Sequence, residues 1–361
     1  MMKIASDLTR CIVLACMAFM SAAVSGLAIA QAEASQLRLR IVGGLANVNQ
    51  YTKHEEPFWA KELQRLSGGR FVAEIVPFDQ AGLRGSDMLR LVQLGAVPFG
   101  TMPLAQAAIL DPELGAADLA GLNPDMASLR RLVAAFRPHI ERRMRERWGI
   151  ETLAVYVYPA QVTFCRKPFT GLADLAGRRI RSGSPTTSDL IEALGAVPVP
   201  IPFAEIVPNM RAGAIDCAIT GTMSGNTSGL HEVSTHVHAM AVGWELAVFG
   251  ANTATLNALP ADLRELLKRE LPRLERAIWT DAERETGEGL ACNSGSDACV
   301  NGRKGKMLVV KENAADAQRR REIFIANVLP RWVQRCGPHC AVVWNNNLRP
   351  GTGIVADSAR K

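Results

Sequence analysis

Apolar positions between Gly177 and Gly221 change period repeatedly, and the changes spell strand, helix, strand, helix, strand. Arg179–Ser182 reads as a short strand that enters a Gly/Ser/Pro loop at 182–185. Thr187 or Ser188 then caps a short helix that closes at Gly195. Residues 196–201 are extended, because Pro198 and Pro200 are excluded from a helix interior. A second short helix over 203–211 stops at Gly213, and 214–219 is an apolar run of strand length. The unit predicted is one of parallel strands joined by helical crossovers.

The same alternation precedes it. A strand at 37–42, a helix at 51–66 ending in Ser67-Gly68-Gly69, a strand at 71–78 and a helix at 88–94 form a first strand-helix set. Residues 99–105 read as a weak strand or a loop. Residues 126–148 form an amphipathic helix carrying Leu129, Leu132, Val133, Phe136, Ile140 and Met144, interrupted near Pro138. A strand at 151–158 leads into the central unit. After it come a flexible Gly/Ser/Thr/Asn loop at 221–229, one strand over 237–249 and a long helix over 259–285 that Pro272 kinks. A polar excursion at 293–306, a strand at 307–310 and a last helix at 314–334 complete the pattern.

The amino terminus sets the compartment. Lys3 and Arg10 flank the start of an apolar stretch over 11–29, and Ala28-Ile29-Ala30 satisfies the small-x-small rule for signal peptidase. Residues 1–30 therefore read as a cleaved signal peptide, with Ala32-Glu33-Ala34 an equally legal exit. A membrane anchor is the rival, but no stop-transfer flank follows. The expected localisation is periplasmic. Removing the signal takes away Cys11 and Cys16 and leaves six cysteines, an even set that export turns toward disulfides rather than zinc. Cys292 with Cys299 and Cys336 with Cys340 are the natural local pairs, with exchange between them open. A zinc site from these four with His339 is the competing reading. Cys165 and Cys217 lie in predicted strands as buried thiols or as a pair.

The net charge of +6 is modest for 361 residues, and the basic residues are scattered except for a cluster at 142–147 in a mixed-charge helix. That is a solvated face rather than a nucleic-acid surface. Catalytic motifs fail on spacing. In His231-Glu232-Val233-Ser234-Thr235-His236 the second histidine comes five residues on rather than four, off the face a zinc protease helix needs. Gly225-Asn226-Thr227-Ser228-Gly229 imitates a nucleophile elbow with no strand leading into it. No enzyme, metal or cofactor is expected.

Units like the central one place small-molecule sites at the carboxyl ends of their strands, beside helix N-termini. Those ends carry Arg181, Ser184 and Thr220, and a guanidinium there suits a carboxylate because its donor fork grips both oxygens. A surface ion pair is the plainer alternative for an arginine at a strand end. The run G-R-R-I-R, then S-D-L-I-E-A-L-G-A-V-P-V-P, P-F-A-E and R-A-G-A-I-D, resembles the DctP family of solute receptors of tripartite ATP-independent periplasmic (TRAP) transporters. Gly85-Ser86 through Gly95 is similar to a segment of that family's first lobe. The resemblance covers residues 37–335. It implies an α/β, two-lobed periplasmic solute-binding fold with mixed sheets flanked by helices and a long bent helix bracing both lobes.

The resemblance further implies lobe I at 37–163 plus about 248–288, lobe II at 164–247 plus about 289–335, and a tail at 336–361 with no counterpart. Arg181 matches the family arginine that clamps a substrate carboxylate. Phe203 is expected to pack on the ligand, Ser184 and Thr220 to donate hydrogen bonds, and Arg166 and Trp244 to stand as further contacts. The implied function is capture of a small organic carboxylate and its delivery to the small and large integral-membrane permease subunits, with no nucleic acid involved. A receptor for an ATP-driven importer and an exported enzyme are the alternatives. Where the family carries D-G-x-E-x-P, this chain reads Asp216-Cys217-Ala218-Ile219-Thr220, so the pocket wall differs and the sequence leaves the identity of the ligand open.

Overall fold

The computed structural model describes residues 36–358; the signal-peptide reading, with Cys11 and Cys16, lies outside them. Eleven strands are arranged in two sheets. In chain order they are β1 (Leu37–Gly43), β2 (Phe71–Pro77), β3 (Phe99–Pro103), β4 (Ile150–Val157), β5 (Gln161–Cys165), β6 (Arg179–Ser182), β7 (Val197–Pro200), β8 (Cys217–Gly221), β9 (His236–His238), β10 (Leu246–Asn252) and β11 (Leu308–Val310). The first sheet has the order β2-β1-β3-β10-β4, the second β11-β9-β5-β8-β6-β7. Both are mixed: β1 runs parallel to β2 and β3, whereas β10 runs antiparallel to β3 and β4.

Local chemistry explains where each strand sits. β8 is buried at every position and lies inside its sheet, as an unbroken apolar run demands. β7 carries Pro198 and Pro200, which cannot donate to a ladder, and it is the edge strand. The helix Met126–Trp148 is capped by Asp125, whose side chain accepts from Ser128 N, and it ends at Gly149 with φ 61°. It runs unbroken through Pro138, against the expected interruption. Proline in a helix interior costs about 3 kcal/mol. Burial of Leu129, Phe136, Ile140 and Met144, each stabilising by roughly 1.5–3 kcal/mol, outweighs it.

The chain changes sheet between Val157 and Gln161 and returns between His238 and Leu246, so the expected lobe bounds at 163 and 247 each fall inside a strand. The single strand expected over 237–249 is two, β9 in one sheet and β10 in the other, with 239–245 crossing between them. The loop expected at 221–229 is a helix, Thr222–Ser228, because it packs against the long helix Ala261–Ser294.

That long helix braces both sheets. Near its middle it lies on β4, and Glu285 accepts from Asn49 Nδ2 at 2.6 Å on the first lobe. The same turn reaches the second lobe, where Thr222 Oγ1 donates to Glu285 O at 3.1 Å. It outlasts the expected end at 285 because Gly289, a poor helix former, allows the backbone of Thr222 and Met223 to approach too closely for any side chain.

All six described cysteines are paired, as Cys165–Cys217, Cys292–Cys299 and Cys336–Cys340, so no thiolate remains for zinc. The segment beyond residue 335 is packed rather than loose. Trp344 is fully buried and donates to Ile354 O. Just before it, Trp332 Nε1 reaches Pro112 O beside the first sheet, while Arg335 pairs with Asp189 on a helix of the second. Among the described residues no helix is long and apolar enough to cross a membrane.

Candidate ligand-binding cleft

The carboxyl ends of β6, β7 and β8 face those of β1, β2 and β3 across a cleft, the place where loops leave parallel strands free to hold a small molecule. Its main chamber measures about 390 Å³. One wall is Arg181 through Pro185 and Pro200 through Ala204; the other includes Leu45, Phe78, Gly85 and Ser86. Two narrower recesses share Arg181 and Gly183 with the chamber and reach Glu245.

Arg181 is 6% exposed. Its Nε donates to Ile201 O at 3.1 Å and its Nη1 to Ile219 O at 2.9 Å, so two backbone carbonyls orient the fork. Neither carbonyl neutralises it, and among the described residues no carboxylate forms a salt bridge with it. Burial lowers its pKa to about 10, and the charge of Glu245 opposes the fall, so the group stays cationic at neutral pH. A buried cation without a counter-ion is costly unless an anion arrives, and the remaining Nη donors point to a planar, two-oxygen acceptor.

Ser184 borders the cleft as the N-cap of the helix Pro185–Ala193. Its Oγ accepts from Thr187 N at 3.2 Å, and Pro185 occupies the first turn. The cap is thus three residues earlier than Thr187, since proline is pre-shaped for that position. Thr220, 3% exposed, stands one residue before the end of β8 on the recess wall, and Phe203 lines both the chamber and that recess. Trp244 borders the other recess, but its indole N–H donates to Asn123 O at 3.2 Å and the ring is buried, so it supports the wall instead of stacking on a ligand. Arg166 is elsewhere. β5 presents Gln161 to the cleft and runs away from it, and Arg166 follows the far end, against Gly213. Antiparallel pairing with β8 decides this, and local sequence does not reveal it.

Two acidic residues that the sequence did not single out, Asp118 and Glu245, also line the cleft. Asp118 accepts from Trp244 N at 3.0 Å and Glu245 N at 2.7 Å, and burial pushes its carboxyl up to about 6. Burial likewise pushes Glu245 up to about 7, Asp118 adding to the rise and Arg181 opposing it. The signal available was a lone glutamate between apolar runs in W-E-L-A-V-F.

Two lobes, a brace helix and a buried, unpaired guanidinium in the cleft between them define a solute receptor. The chain belongs to the bacterial extracellular solute-binding proteins of family 7, DctP, whose model matches residues 45–291. It is 24% identical over 267 residues to a solute-binding protein of Albidiferax ferrireducens, covering 72% of this chain and 77% of that one. In fold it is similar to DctP7, an extracytoplasmic solute receptor of Bordetella pertussis binding pyroglutamic acid, with TM-score 0.76, 22% identity, and coverage of 88% of this chain and 99% of that one. A TRAP periplasmic solute binding protein of Desulfovibrio salexigens with bound orotic acid gives TM-score 0.76 at 18% identity, over 89% and 100% of the two chains.

Proposed function

We propose that this protein is a periplasmic receptor, not an enzyme, which binds a small organic carboxylate in its interlobal cleft and delivers it to a TRAP permease pair. The observation that carries this reading is the buried guanidinium of Arg181, held by two carbonyls and, among the described residues, paired with no carboxylate. Ser184 and Thr220 would donate hydrogen bonds and Phe203 would cover the ligand body. The carboxylates bound by similar receptors, pyroglutamic and orotic acids, support the ligand class. Residues 1–30 would direct export and be removed. Lobe closure about the crossings at 157–161 and 239–245 would exclude water, so that one bidentate pair separates acids from neutral analogues.

The test is a thermal-shift screen of the mature protein against organic acids, followed by calorimetry on Arg181→Ala. A carboxylate should raise the melting temperature of the natural protein and leave the variant, with its apo fold intact, unmoved. Unchanged binding by the variant would remove Arg181 from the site. Uptake by proteoliposomes holding the permease pair should require this receptor and no ATP.

A further inference from the structure

We propose that Glu245 is a second ligand anchor, so that the cleft takes a small carboxylate that also bears an N–H donor: the carboxylate on Arg181, the N–H on Glu245. This rests on the receptor reading above and narrows it to one class of acid.

Glu245 is the only non-glycine described residue with φ in the left-handed region, at 61°. Such a conformation is unfavourable for a residue with a Cβ and persists only where the surroundings enforce it. Here they do. Asp118 accepts from the backbone N–H groups of both Trp244 and Glu245, pinning the turn where the chain crosses between sheets. The turn aims the glutamate at the two recesses that Arg181 also lines.

The aimed carboxyl is unsatisfied. The residue keeps partial exposure and lines both recesses, and among the described residues no donor bonds its carboxyl, Oε1 being buried without a partner. An enclosed carboxylate oxygen without a donor costs free energy that a ligand donor would recover. Arg181 acts on it through space but makes no ion pair with it. Asp118 is the better satisfied of the two carboxyls, because Trp244 N, Glu245 N and Asn123 Nδ2 already donate to it. Ser224, which lines the same recess, has an Oγ that is also buried and without a hydrogen-bond partner among the described residues.

Charge then selects the ligand. The cleft opposes one guanidinium to two carboxyl groups, Glu245 and Asp118. A dicarboxylate seated on Arg181 would bring its second carboxylate toward those acids. A lactam, amide or ammonium N–H would meet an acceptor there.

The experiment compares matched probes by calorimetry: pyroglutamate, its ring-oxygen counterpart 5-oxotetrahydrofuran-2-carboxylate, orotate, succinate and malonate. At least one N–H-bearing acid should bind about a hundredfold more tightly than its oxygen counterpart or the dicarboxylates, as sites built around a ligand donor discriminate. Glu245→Met should narrow that ratio to within about tenfold, while Arg181→Ala loses every acid. Binding of these acids through Arg181 with no N–H preference, or with succinate or malonate preferred, overturns this inference and leaves the receptor reading standing. Acid binding indifferent to Arg181→Ala overturns both. The comparison of pyroglutamate with its oxygen counterpart needs no variant and decides the matter if Glu245→Met does not fold.

Discussion

Gly183 lies against the guanidinium of Arg181: a Cβ at that position would stand 3.1 Å from Nη1 and 3.3 Å from Nη2. The contact limits how far the fork can tilt, because Nε is tied to Ile201 O and Nη1 itself to Ile219 O. A side chain there would have to move the charge or break one of those bonds.

Gly183→Ala should therefore weaken ligand binding by about tenfold with little loss of apo stability, the strain of a few tenths of an ångström falling on the fork. Calorimetry alongside denaturant unfolding reads both quantities. Equal affinity in the variant would mean that the fork has slack.

Stability should peak in mildly acid solution. Burial raises Glu55 from 4.5 to about 7, against the opposing hydrogen bonds of Gly44 N, Gln50 and Thr101. Glu245 and Asp118 are raised as well, to about 7 and about 6. A carboxyl whose folded pKa is raised binds its proton more tightly when folded, so its contribution is present at low pH and fades as pH climbs toward 7. The opposite sign holds for Asp216, which the hydrogen bond from Arg179 lowers from 3.8 to about 2, so its contribution is lost below about pH 4. The apo melting temperature should rise by a few degrees or more from pH 7.5 to about 5, then fall toward pH 3. Glu55→Gln should flatten the upper slope, and a slope unchanged in that variant would assign it to other groups.

Gly289→Ala should destabilise the fold by about 3 kcal/mol, at the top of the overpacking range. Its Cβ would sit 2.4 Å from Met223 N and 2.5 Å from Thr222 C, and backbone cannot rotate aside as a side chain does. Denaturant midpoints measure this; a loss under 1 kcal/mol would show that the brace helix can slide off the second lobe at little cost.

The Cys165–Cys217 bridge joins residues paired across β5 and β8 and closes a loop with sequence separation 52. Loop-closure entropy puts its contribution at about 4 kcal/mol. Replacing both cysteines by serine should lower the unfolding midpoint accordingly and spare the first lobe's exchange protection. A midpoint unmoved by the double replacement would locate the second lobe's stability entirely in its packing.

Sequence periodicity by itself determined most elements, because which face of a segment is apolar depends on its own residues. Proline at 198 and 200 marked an extended segment, and the ladder requirement made that segment an edge. Arg181 was legible through a strand end followed by a helix start, reinforced by a family resemblance. What the tertiary structure alone decided was partnership between distant segments. β10 inserts between β3 and β4, residues 239–245 become a crossing instead of a strand, and β5 points Arg166 away from the cleft. Periodicity is blind to these outcomes because a strand's neighbours come from anywhere in the chain. Glu245 is the sharpest case: its role comes from a left-handed turn that Asp118, far off in sequence, holds in place.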